Sequence, residues 1–143
     1  MAQPVKVLFI CIGNSCRSQM AEALVRHLAS DVMDPSSAGL APLGTIAAAT
    51  RAVLAEGGIS VNGQFSKGLP EVDADSAQIV VNMSGHPIES YFAGSKARFE
   101  DWDIADPYGA DPELHRQIRD EIEERVNNLA ERLRRKPREA RRA

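Results

Sequence analysis

The chain has 143 residues, of which 43% are hydrophobic, and a formal net charge of −3 at pH 7. This length suits one domain with a single core, and the hydrophobic fraction excludes a largely disordered chain. No apolar run approaches the roughly 20 residues of a membrane span, and the N-terminus lacks the pattern of a secretory signal. With no such signal and only two cysteines, we expect a cytoplasmic protein with reduced thiols.

Predicted strands alternate with predicted helices along the chain. Apolar and β-branched residues at 5–10 predict a buried strand, and the polar loop "CIGNSCRS" separates it from a helix that begins at residue 19. The next elements are a helix over 46–58, a strand over 77–83, a short helix over 86–94 and a short strand over 97–103. This alternation predicts an α/β fold with a parallel sheet covered on both faces.

The last predicted helix begins at Asp111 and Pro112, which supply an N-cap and a proline at the first helical position. Apolar residues then recur at spacings of three and four and predict a face packed on the core: Leu114, Ile118, Ile122, Val126, Leu129 and Leu133. We predict a single domain over residues 1–135 and a basic, disordered tail over 136–143.

The C-terminal run at 132–143 carries a charge of +6, which leaves −9 on the rest of the chain. Such a run can attract nucleic acid or an anionic membrane. Pro137 interrupts it and no aromatic residue is interleaved with it, so we interpret it as a solvated helix end. We therefore expect neither nucleic acid nor a membrane as a partner.

The loop at 11–18 follows the first strand, at the sheet edge where open α/β folds bind ligands. The next helix offers unpaired N–H groups and the positive end of its dipole to an anion. Gly13 allows the backbone to curl around a ligand, and Asn14 tolerates the left-handed conformation that such a curl needs. Arg17 can hold two oxygens of a phosphate or an arsenate.

Cys11 lies at the head of this loop, where the same donors would stabilise its thiolate. A thiolate beside a bound oxyanion suggests attack on phosphorus or arsenic through a covalent cysteine intermediate. Ser18 can donate a hydrogen bond to the sulfur and help it leave afterwards. The alternative is a buried cysteine that only fills space, but that would not explain Gly13 and Arg17.

The histidines do not indicate a metal site. Two cysteines and three scattered histidines do not provide the spacing of a four-ligand zinc site, so we expect no metal and no other cofactor. His27 and His115 are interpreted as surface residues of their helices.

A phosphate ester also needs an acid for its leaving oxygen. The segment "DWDIADPYGADP" offers four carboxylates: Asp101, Asp103, Asp106 and Asp111. Asp111 is best explained as the helix cap. Asp106 is favoured because Pro107 fixes the backbone after it and Tyr108 could wall a pocket, although this pattern alone leaves the other carboxylates open.

The segment "VLFICIGNSCRSQMAEAL" at 7–24 resembles the N-terminal motif of the low-molecular-weight protein tyrosine phosphatase superfamily, which includes thiol-coupled arsenate reductases. "SSAGL" at 36–40 and "DPYG" at 106–109 resemble its later landmarks. The resemblance implies one catalytic domain, a three-layer α/β/α sandwich with a four-stranded parallel sheet. It implies Cys11 as nucleophile, Arg17 as oxyanion binder and Asp106 as general acid.

The resemblance also assigns the other residues of the site. It implies an oxyanion-binding loop that includes Ile12, Gly13, Asn14, Ser15, Cys16 and Ser18. It implies Tyr108 as a pocket wall. It makes Cys16 a redox partner that forms a reversible disulfide with Cys11 under oxidation.

Departures from the superfamily pattern leave the substrate open. Reductases with an internal cysteine relay need two further cysteines near the end of the third strand, where "NMSGHPIESYFAG" has none. Ser15 resembles the arsenate reductases, whereas tyrosine-specific members have a bulky aliphatic residue there and arginine-phosphate phosphatases a threonine. The segment after Gly39 lacks the aromatic residue that often walls a phosphotyrosine pocket.

The leading hypothesis is a phosphomonoesterase of the low-molecular-weight tyrosine phosphatase type, acting on a phosphorylated protein through a phosphocysteine. The alternatives are a phosphoarginine phosphatase and an arsenate reductase that uses an external thiol system: glutathione with glutaredoxin, mycothiol or thioredoxin. A third class is a catalytically silent oxyanion sensor or a binding module that acts through the basic tail. We expect a monomer or a weak dimer.

Overall fold

A computed structural model describes residues 3–135 of the chain, so the predicted tail at 136–143 lies outside the described residues. The strands are β1 (Val5–Cys11), β2 (Met33–Gly39), β3 (Ile79–Asn82) and β4 (Arg98–Asp101). The α-helices are α1 (Arg17–Leu28), α2 (Ala48–Glu56) and α3 (Pro112–Arg135). Short 3-10 helices occupy Leu69–Glu71, Ala74–Ser76 and Glu89–Phe92.

The four strands form one parallel sheet in the order β2-β1-β3-β4. Its larger core cluster joins one face to the three α-helices, and a smaller cluster joins the other face to the segments that carry the 3-10 helices. The predicted α/β/α sandwich with a four-stranded parallel sheet is therefore confirmed. No helix among residues 3–135 is long and apolar enough to cross a membrane.

The register of the sheet brings the carboxyl ends of its central strands together. Cys11 pairs with Gly39 at the end of β2, and Ile10 pairs with Asn82 at the end of β3. In open α/β folds, ligands bind just beyond the carboxyl ends of the parallel strands. The loop that follows Cys11 therefore lies where two neighbouring strands also end.

The apolar stripe of α3 packs on the core as its spacing predicts. Five of its six residues are buried and Leu114 is partly buried. Asp111 accepts the N–H of Leu114 at 3.0 Å, which confirms the predicted N-cap. The interpretation of His115 as a surface residue is wrong, because its side chain faces the packed side of the helix and is buried, whereas His27 is exposed as expected.

Strand β2 has no counterpart among the predicted elements, because its sequence "MDPSSAG" lacks the apolar, β-branched character of a typical strand. Pro35 is tolerated in it because β2 is an edge strand of the sheet, where β1 is its neighbouring strand. The predicted short helix at 86–94 is reduced to a 3-10 helix over Glu89–Phe92. Helix α1 begins at Arg17, so the last residues of the polar loop already belong to it.

Candidate active site

The loop at residues 11–18 joins β1 to α1, with Cys16 at the N-cap of that helix. Its first three carbonyl groups accept backbone N–H groups from the segment after β2, namely those of Leu40, Ala41 and Leu43. Among the described residues, no acceptor is found for the backbone N–H groups of residues 13–18. They lie at the positive end of the α1 dipole, so the loop can bind an anion.

The side chain of Cys11 faces a short hydrogen-bonded chain inside the loop. Its Sγ lies 2.8 Å from Ser18 Oγ, which accepts a hydrogen bond from Asn14 Nδ2 at 2.7 Å. Asn14 adopts the left-handed conformation expected of it, with φ of 48°. Both cysteines are buried free thiols.

Arg17 is buried, and backbone carbonyl groups hold its guanidinium group. Its Nη1 donates to Met83 O and to Ile104 O, the latter at 3.1 Å. Its Nε is buried without a partner among the described residues. A guanidinium fixed in this way with a free N–H can donate to an oxyanion in the loop.

Asp106 is the one predicted acid candidate that lies at the same cavity as Cys11. Its carboxylate is 46% exposed, lies 3.6 Å from Arg17 Nη2 and accepts the N–H of Tyr108 at 3.0 Å. Asp101 and Asp103 line a separate, larger cavity on the other side of Arg17. The structure thus places Asp106 at the mouth of the loop.

The cavity above Cys11 has a volume of about 140 Å³. It is lined by Cys11, Ile12, Gly13, Ser15, Cys16, Arg17, Leu43, Asp106 and Tyr108. The structure therefore brings together all the predicted site residues except Asn14 and Ser18, which contact Cys11 or its neighbours from within the loop. The hydroxyl group of Ser15 is buried and has no partner among the described residues.

Leu43 lines this cavity but was not among the predicted site residues. Its side chain is 48% exposed and packs over Gly13, where a Cβ atom would lie only 2.9 Å from it. A side chain at position 13 would therefore displace Leu43, whereas the left-handed backbone conformation in the loop is at Asn14 and not at Gly13. The segment after Gly39 lacks the aromatic residue that often walls a phosphotyrosine pocket, and the aliphatic side chain of Leu43 lines the cavity there.

Cys16 has different surroundings from Cys11. Its Sγ lies 3.9 Å from Nε2 of the buried His115, whose Nδ1 is 3.0 Å from Asp111 O. Burial raises the pKa of the Cys16 thiol, and the hydroxyl group of Thr50 opposes that rise. Helix α3 thus packs His115 against the loop, which explains why this histidine is not on the surface.

The chain matches a family model described as "Low molecular weight phosphotyrosine protein phosphatase" over residues 6–139. The chain belongs to this family. It is 34% identical to a glutaredoxin arsenate reductase from Synechocystis sp. over 87% of this chain and 95% of that protein. It is 36% identical to a protein-arginine-phosphatase from Geobacillus stearothermophilus over 91% of this chain and 97% of that protein.

A solved structure described as an arsenate reductase in the phosphate binding state superposes with a TM-score of 0.81. It is 33% identical and covers 90% of this chain and 98% of its own. These findings confirm the family inferred from the sequence and make the protein an enzyme of a cysteine-based phosphatase and reductase family. The relatives include proteins named as an arsenate reductase and as a protein-arginine-phosphatase, so membership of the family does not by itself determine the substrate.

The segment after β3 folds into a hydrogen-bonded turn. Asn82 Oδ1 accepts the N–H and the hydroxyl of Ser84, and Asn82 Nδ2 donates to His86 O at 2.7 Å. The family's internal relay would place cysteines in this region, and the sequence has none. Among residues 3–135, no group of three or more His, Cys, Asp or Glu side chains is arranged to hold a metal ion.

Proposed function

We propose that the protein is a phosphomonoesterase that removes phosphate from a phosphorylated protein side chain through a phosphocysteine intermediate. The observation that carries this proposal is that Cys11, Arg17 and Asp106 line one cavity. The second thiol of the chain, Cys16, is buried beside His115 with a raised pKa, which does not favour an internal two-thiol reduction.

In the first step, the Cys11 thiolate attacks phosphorus and the bond from phosphorus to the leaving oxygen breaks. Loop N–H groups and Arg17 hold the phosphoryl oxygens, and Asp106 gives its proton to the leaving oxygen. In the second step, water attacks phosphorus and Asp106 accepts a proton from that water. The sulfur–phosphorus bond then breaks, which releases phosphate and restores the thiolate.

The walls of the cavity suit a flat substrate group between an aliphatic and an aromatic side chain. Leu43 and Tyr108 both line it and are exposed at its mouth. A tyrosyl ring and a guanidinium plane both fit this description. The phosphoarginine alternative is supported by the relatives named protein-arginine-phosphatase.

The second candidate function is arsenate reduction with an external thiol, which the relatives named arsenate reductase support. Here Cys11 would attack arsenic and hydroxide would leave. A thiol such as glutathione would then attack the Cys11 sulfur and release arsenite. The two thiols supply the two electrons and end as a mixed disulfide.

A parallel substrate panel tests the proposal. We expect phosphate release from a phosphotyrosine or a phosphoarginine peptide, and little arsenite from arsenate with glutathione and glutaredoxin, mycothiol or thioredoxin. Arsenite production at a higher kcat/KM than phosphate release would replace the proposal by the second candidate. Phosphate binding without turnover of any substrate would support a silent sensor and contradict both.

A further inference from the structure

Gln19 is a fully buried polar residue on α1 that the catalytic steps above do not use. Its Nε2 donates to Asn14 Oδ1 at 2.9 Å and to Phe65 O at 2.9 Å. Its Oε1 accepts a hydrogen bond from Gln64 Nε2 at 2.7 Å. A chain of side chains therefore leads from Gln64 through Gln19 to Asn14, and from there to the nucleophile.

Two backbone groups fix the direction of this chain. The N–H of Lys67 can only donate, so the Asn14 atom 2.9 Å from it must be the oxygen. The carbonyl of Phe65 can only accept, so the Gln19 atom beside it must be the nitrogen. If either side-chain amide were flipped, two hydrogen-bond donors or two acceptors would face each other.

The fixed direction determines which way the Ser18 hydroxyl points. Asn14 Nδ2 donates to Ser18 Oγ at 2.7 Å, so the hydrogen of that hydroxyl is free for another acceptor. The Cys11 Sγ lies 2.8 Å from Ser18 Oγ. When Cys11 is a thiolate its sulfur has no hydrogen to donate, so Ser18 donates to it, and a donor to a thiolate favours the charged form.

Gln19 also restrains the backbone of the loop. Its Nε2 lies 3.2 Å from the Asn14 main-chain oxygen as well as contacting the side chain of that residue. Asn14 is the one non-glycine residue with positive φ among residues 3–135, a conformation that has to be held by its surroundings. The side chain of Gln19 thus holds both the backbone and the side chain of Asn14.

We propose that Gln19, anchored by Gln64, is a positioning residue that keeps the Ser18 hydroxyl directed at Cys11. It makes no contact with the cavity, so it acts through Asn14 and not on the substrate. This inference rests on the proposed role of Cys11 as nucleophile.

The test measures the alkylation rate of Cys11 by iodoacetamide against pH, in the full chain with Cys16→Ala so that one thiol remains. Gln19→Met keeps the length of the side chain and removes its hydrogen bonds. We expect the midpoint of the rate profile to move up by about half a unit to one unit, a roughly threefold to tenfold lower rate on its acid side. Gln64→Met is expected to shift the midpoint in the same direction by less.

A double-mutant cycle separates positioning from general damage to the fold. With Ser18→Ala, Gln19→Met should cause no further shift, because the hydroxyl that it directs is absent. An equal shift with and without Ser18 would overturn the proposal, as would an unshifted profile in both Gln19→Met and Gln64→Met. If Gln19→Met does not fold, the same cycle with Gln64→Met decides.

The matched control is Gln78→Met, which removes an amide that accepts the N–H of Lys6 near the start of β1. It should leave the alkylation profile unchanged, and an equal shift in this control would contradict the proposal. Alkylation uses no substrate, so its result stands even if the substrate panel finds no phosphatase activity.

Discussion

The two cysteines lie five residues apart on one loop, and their surroundings differ in donors rather than in exposure. Their exposed fractions are nearly equal, at 2% for Cys11 and 3% for Cys16. Cys11 faces the Ser18 hydroxyl and shares its cavity with Arg17. Cys16 faces a histidine nitrogen 3.9 Å away, and burial raises its pKa. Because the two thiols are almost equally exposed, we expect donors and charge to decide which of them is reactive.

The largest expected effect separates the two thiols by catalysis. Cys11→Ser should lower kcat/KM for an aryl phosphate at about pH 6 by at least about a thousandfold, because a serine hydroxyl there has no base to activate it. Cys16→Ser should stay within about tenfold of the wild type, since its sulfur does not attack phosphorus. Activity that survives in Cys11→Ser would remove Cys11 from the proposed mechanism.

The second prediction concerns the acid that the Cys11 reaction needs. Asp106→Asn should lower kcat/KM, which reports the first step, about a hundredfold for an alkyl-like leaving group and much less for p-nitrophenolate, which leaves without a proton. Steady-state kinetics with both substrates measures the difference. The matched control is Asp103→Asn, which lies on the other cavity and should change kcat/KM little. Equal losses in the two variants would assign the acid elsewhere.

The sequence predicts the cysteine loop well because its information is local. A buried strand, a glycine, an asparagine and an arginine follow one another within 13 residues, and each has a conformational or chemical reason for its position. The fold class follows in the same way from apolar periodicity. Strand β2 was missed because its edge position tolerates Pro35 and two serines, which a propensity rule counts against a strand.

The surroundings of Cys16 could not be read from the chain because they depend on distant contacts. His115 is 99 residues from Cys16 in the sequence. The helical spacing of the apolar residues in α3 does not reveal that this helix packs on the loop as well as on the sheet. Gln19 presents the same difficulty, since a glutamine on a helix is ordinarily exposed. The pairing of Gln19 with Gln64 spans 45 residues and becomes visible only in the folded protein.

The third prediction compares the thiols directly with iodoacetamide. In the single-cysteine variants at pH 7, Cys11 should be alkylated at least about tenfold faster than Cys16. Because burial raises the pKa of Cys16, its thiolate and its alkylation rate should increase only as pH rises into the alkaline range. Mass spectrometry across a pH series measures both rates. Equal rates at neutral pH would mean that the donors around Cys11 do not distinguish it.

The smallest expected effect concerns the predicted reversible disulfide. Peroxide converts the Cys11 thiolate to a sulfenic acid with release of hydroxide, and Cys16 can then attack that sulfur to form a disulfide and water. The wild type treated with peroxide and then dithiothreitol should therefore regain several-fold more activity than Cys16→Ser, in which Cys11 oxidises further and irreversibly. Gln78→Met is a control that leaves both thiols and their contacts in place, and it should recover like the wild type. Equal recovery with and without Cys16 would show that Cys16 does not protect Cys11 from irreversible oxidation. It would therefore contradict the predicted disulfide between the two cysteines.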